Sequence, residues 1–155
     1  MRGNGELVSD RRALAVSFVG DEPVSAARRR ARAFLAELEA GAGVGVSARA
    51  AQAVELVVSE LVTNARKYAP GPCLLELELE PERGAEAVRI SVWDSESALP
   101  MALPPDPARV GQHGLEVVLA LCLRFEVQRE PVGKRVTVAV SLPDDPSGSP
   151  AGRVV

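Results

Sequence analysis

The chain has 155 residues, one domain's worth, and is 46% hydrophobic but only 3% aromatic, so its core must be built from Val, Leu and Ala. A net charge of −3 and a pI near 5.3 exclude the basic footprint of a nucleic-acid binder. No apolar run reaches the roughly 18–20 residues of a membrane span, and the N-terminus lacks a signal-peptide core. Cys73 and Cys122 stand far apart without metal-ligand neighbours and read as free thiols of a cytoplasmic protein.

Residues 1–10 are polar and glycine-bearing, and are expected to be disordered. A first strand is expected over 12–19, around Leu14, Val16 and Phe18. Pro23 and Ser25 open a helix through Ala40, with Ala27, Ala31, Phe34, Leu35 and Leu38 inward. Its charge run, Arg28-Arg29-Arg30 with Arg32, leaves that apolar face intact and reads as a solvated face, with a docking surface for an acidic partner as the alternative.

A second helix opens at Ser47, a good N-cap, and is stopped by Pro70-Gly71-Pro72. Its apolar stripe is Ala51, Val54, Val58, Leu61, Ala65 and Tyr68. At about 100° per residue, Gln52, Glu55, Ser59, Thr63 and Arg66 fall toward water, while Glu60, Asn64 and Lys67 share the stripe's edge with Ala53 and Val57. A carboxylate and an amide at i, i+4 on a half-buried flank form a small polar site. It is open to two readings: a helix edge touching solvent, or a base (Glu60) beside an oxygen ligand for a hard cation such as Mg²⁺ (Asn64).

Alternation of Leu75, Leu77 and Leu79 with Glu76, Glu78 and Glu80 predicts a strand with one wet face over 73–80. Val88, Ile90 and Val92 mark its antiparallel partner over 87–94. Asp94 ends that strand at the mouth of the expected pocket, and an ionised carboxylate, which only accepts hydrogen bonds, suits an exocyclic amine. Residues 95–110 carry four prolines and no regular pattern, and read as a lid over a site. Gly111-Gln112-His113-Gly114 follows, then a buried helix over 115–123; glycines before a helix let backbone N–H groups approach an anion. His113, the sole histidine, cannot make a metal site alone and reads as a turn residue. Strands over 124–130 and 134–142 close the pattern, and 144–155 is Pro/Ser/Gly-rich and expected to be disordered. The domain is therefore expected over 11–143. Its element order implies an α/β two-layer sandwich, a mainly antiparallel mixed sheet covered on one face by helices.

A Glu–Asn helix, an Asp at a strand end, a lid and a glycine turn opening a helix, in that order, resemble the histidine kinase-like ATPase family (GHKL, Bergerat fold), and within it the small anti-sigma-factor serine kinases. Glu60-Leu61-Val62-Thr63-Asn64-Ala65 carries the most specific part of the resemblance, with Asp94, Gly111–Val118 and Gly133–Val136 in support. The resemblance implies ATP and Mg²⁺ as cofactors, Glu60 as general base, Asn64 as the Mg²⁺ ligand, Lys67 toward a phosphate, Asp94 on the adenine amine, and Gly111, His113, Gly114 and Leu115 as further nucleotide-binding positions. It implies as partners a sigma factor, held inactive, and a STAS-type anti-sigma-factor antagonist, phosphorylated on Ser or Thr, and it suggests a homodimer. The chain departs from the family where Asp94-Ser95-Glu96-Ser97-Ala98 lacks both glycines of the usual Asp-x-Gly-x-Gly box, and where Lys134-Arg135 stand in place of the Thr of many relatives. Two other readings follow: a non-catalytic protein-binding module with a degenerate nucleotide site, and the detached ATPase domain of a sensor histidine kinase.

Overall fold

The computed structural model describes residues 6–9, 12–19, 22–68, 71–82, 84–95 and 114–143. Among these residues six strands form one sheet in the order β1-β2-β3-β4-β6-β5, where β1 is Glu6–Ser9, β2 Ala13–Phe18, β3 Cys73–Leu79, β4 Ala87–Asp94, β5 Arg124–Arg129 and β6 Lys134–Ser141. Among the described residues every neighbouring pair is antiparallel, and the expected α/β sandwich with its mainly antiparallel sheet is present. Glu6–Ser9 falls inside the segment expected to be disordered; it pairs with β2 as the edge strand. The tail 144–155 and the expected lid, apart from Ser95, lie outside the described residues.

Helix α1 (Val24–Ala42) starts after Pro23, whose ring fixes φ and whose missing N–H costs nothing at a helix start. It ends at Gly43, φ 68°, where the Val44 N–H reaches back to the Leu38 carbonyl at 3.1 Å and both side chains are buried. The helix thus closes through a left-handed residue, the conformation a side chain would strain. Ala27, Ala31, Phe34, Leu35 and Leu38 are all buried, as the periodicity requires.

Helix α2 (Ala48–Tyr68) is capped by Ser47, whose Oγ accepts the Ala50 N–H at 3.0 Å. The Ser47 N–H in turn donates to the Leu142 carbonyl at 2.9 Å, fixing the helix start to the end of β6. Val54, Val57, Val58, Leu61, Val62 and Ala65 are buried as α2 lies across β3, β4 and β6. They meet Leu75, Leu77, Ile90, Val92 and Val138 from the inner face of the sheet.

The wheel's assignment of Glu55, Ser59 and Arg66 to water is corrected by α1. Arg32 donates two hydrogen bonds of 2.9 Å to Glu55, and Arg28 donates to the Ser59 hydroxyl at 3.0 Å. Arg66 donates to the backbone carbonyl of Glu22 just before α1. Two of the four arginines in the charge run are thus turned onto α2. Helix α3 (Gly114–Leu121) packs beside α2, but the expected buried helix is buried on one side only: Val118 is enclosed, whereas Val117 and Leu119 are exposed.

The outer face of the sheet is polar and laced by cross-strand pairs. Arg89 bonds Glu78 and approaches Glu80 at 3.3 Å. Trp93 donates to Glu76 at 3.3 Å and lies 4.7 Å beneath the Arg135 guanidinium.

Candidate functional site

The site is built where the C-terminal half of α2 approaches one end of the sheet. Glu60 and Asn64 are half-buried on the helix flank, between enclosed Val57 and Leu61 on one side and exposed Thr63 and Lys67 on the other. Burial lifts the Glu60 carboxyl above the ordinary carboxylate range, and the Lys67 ammonium pulls it part of the way back. A carboxylate held this way takes a proton more readily than a solvated one, which suits a base. Asn64, one turn on, offers an amide oxygen on the same flank.

Asp94 is the last residue of β4 and shares parity with Val88, Ile90 and Val92, so its side chain points to the helix side of the sheet. The Cys73 thiol locates it relative to α2. Burial pushes that thiol up to about 11, with the Arg66 cation lowering it and the Asp94 and Glu22 carboxylates raising it further. The end of α2 and the end of β4 therefore act on one buried atom. The turn after α2 closes the same corner: a side chain on Gly71 would meet the Ser95 Oγ at 3.2 Å.

Asp94 is not an open acceptor. Lys134, directly across on β6, places Nζ 3.1 Å from Oδ1 and 3.1 Å from Oδ2, and the two side chains keep only 7% and 3% of their exposure. From the sequence alone Lys134-Arg135 is only a departure from relatives, and nothing local ties Lys134 to Asp94. Parity could have found it, since Lys134 falls in step with Val136, Val138 and Val140, the inward residues of β6.

The C-terminal end of α2 and Asp94 lie at the same end of the fold, since β3 follows α2 at Cys73 and Leu74 pairs with Trp93; half-buried Glu60 and Asn64 and exposed Lys67 lie along that half of the helix. Gly111 and His113 lie outside the described residues, and Gly114 and Leu115 form the first two positions of α3. Among the described residues no three His, Cys, Asp or Glu side chains gather as a metal site, so a cation here would lean on Asn64 and on the ligand it accompanies.

The Histidine kinase-like ATPase domain family matches residues 22–140, from the start of α1 to the end of β6. The chain belongs to that family. A search of curated proteins finds no match to it. No described helix is long and apolar enough to cross a membrane.

Proposed function

We propose that this chain is an ATP- and Mg²⁺-dependent protein-serine/threonine kinase of the anti-sigma-factor type, which holds a sigma factor and phosphorylates a STAS-type antagonist. The observation that carries the reading is the half-buried Glu60–Asn64 pair on one flank of α2, in a chain of this ATPase family. When bound, ATP supplies the transferable phosphoryl group, and Mg²⁺ neutralises its charge. Glu60 would accept the proton of the attacking hydroxyl, its raised affinity for protons matching that task. Asn64 would hold the cation through its amide oxygen, and Lys67 would draw the phosphates to the open side of the flank. Asp94 would receive the exocyclic amine of the base.

One observation favours a second reading, a non-catalytic protein-binding module: Asp94 is already engaged by Lys134. Titration with ATP in the presence and absence of Mg²⁺ separates the two. The kinase reading expects Mg²⁺-dependent binding and transfer of phosphate to a STAS-type antagonist, with Glu60→Gln abolishing transfer while leaving ATP affinity within a few-fold. Transfer at the wild-type rate by Glu60→Gln removes Glu60 from the role of base.

A further inference from the structure

The proposed chemistry leaves Lys134 without a task, yet among the described residues this lysine and Asp94 are the charged groups the fold buries. An ammonium and a carboxylate tolerate such burial only as a pair, each neutralising the other. To an acceptor-only carboxylate, the ammonium of Lys134 and the exocyclic amine of a purine are the same kind of partner, N–H donors. The ammonium is the stronger of the two, because its hydrogen bonds are charge-assisted. Its Nζ spans both oxygens of Asp94 at 3.1 Å, the atoms through which the base amine would be read.

We propose that Lys134 is the specificity-determining residue of this nucleotide site: it stands in for the base amine on Asp94, so that an adenine nucleotide must displace or share it. The inference rests on the reading of Asp94 as the base-reading group. Two consequences follow from the chemistry. Adenine affinity is lowered, since one charge-assisted pair must be loosened for each amine bound. Selectivity is narrowed as well. A lone carboxylate repels the 6-oxo oxygen of guanine, whereas a carboxylate with an ammonium at its edge offers that oxygen a donor. The flexible four-carbon stem of a lysine can withdraw from the carboxylate, which the rigid fork of an arginine would resist.

Titration of the full chain with ATP–Mg²⁺ and GTP–Mg²⁺, as wild type, Lys134→Thr and Lys134→Gln, tests this. Both replacements keep a neutral donor for the Asp94 carboxylate while removing the ammonium. The expected result is ATP binding tightened about tenfold to a hundredfold, the equivalent of one hydrogen bond to a charged group, with a wider preference for ATP over GTP. Folded variants whose ATP affinity is equal to or weaker than wild type overturn the proposal. If wild type binds ATP and the variants merely match it, the nucleotide-binding reading stands and the role of Lys134 falls. If neither wild type nor variants bind, both fall. A second measurement needs no variant. The ammonium resonance of Lys134 in wild type is expected to be hydrogen-bonded and slow to exchange, and to change on addition of ATP–Mg²⁺. An ammonium signal that stays unaltered at saturating nucleotide overturns the proposal by itself.

Discussion

A methyl group on Gly133 would stand 1.7 Å from the carbonyl oxygen of Asp94 and 2.8 Å from the Cα of Ser95. The β5–β6 turn therefore lies flat against the end of β4, and Gly133, at φ 85°, is what lets it do so. This close approach brings Lys134 level with Asp94 at the last rung of the β4–β6 ladder. Gly133→Ala combines a strained backbone with a clash against main-chain atoms that cannot swing away. It should cost roughly 2–4 kcal/mol, read as a lowered midpoint in urea unfolding. A midpoint unchanged from wild type would mean that the turn has room the geometry denies.

The Glu60 carboxyl gives a pH signature with a definite sign. Its folded-state affinity for protons is raised by burial, with Lys67 opposing. Protonated Glu60 is thus the form the fold prefers, and the associated stability is full below the ordinary glutamate range. It is lost as pH rises through the raised folded value. Thermal midpoints of wild type and Glu60→Gln across the acid range should therefore diverge as pH climbs toward neutrality, with the variant relatively more stable there. Phosphotransfer, if Glu60 is its base, should rise over the same interval as the carboxylate forms. Parallel stability curves for the two proteins would contradict the burial of this group.

Much of this architecture is written in local pattern. Two-residue alternation marks β2, β3, β4 and β6 because each has one face on the helices, and the helical period marks α1 and α2 because each buries a single stripe. What the pattern could not supply is partnership across elements. Glu55 and Ser59 look solvated on a helical wheel, and only the crossing of α1 over α2 gives them Arg32 and Arg28. Glu6–Ser9 is too short to signal a strand and owes its order to the exposed edge of β2. The Glu60–Asn64 flank was legible because both residues sit on one helix; the Asp94–Lys134 pair was not, because its members are 40 positions apart and meet through sheet register.

The two cysteines report on the closure of the core. Cys73 and Cys122 are free and buried, and burial raises both thiols, Cys73 to about 11. The thiolate is the reactive form, so neither should react with a disulfide reagent near pH 8 while the protein is folded, and both should react at once in denaturant. Cys73 is the more telling, since the Asp94 carboxylate of the candidate site acts on it. Rapid labelling of Cys73 in the folded protein would show that the corner between α2 and β4 opens readily.

The outer sheet face offers a test of how polar groups are tolerated there. Ser91 and Thr137 face each other across β4 and β6, with hydroxyl oxygens 3.0 Å apart, and both are buried. Each satisfies the other, so removing one hydroxyl strands its partner away from water. Ser91→Ala should cost about 1–3 kcal/mol, the penalty of a buried polar group without a hydrogen bond. The double variant Ser91→Ala with Thr137→Val removes both groups and should recover most of that loss, because two apolar side chains of similar shape leave nothing unsatisfied. Urea midpoints for the two singles and the double complete the cycle. Simple addition of the single losses in the double variant would show that the hydroxyls are not coupled and that water reaches this face of the sheet.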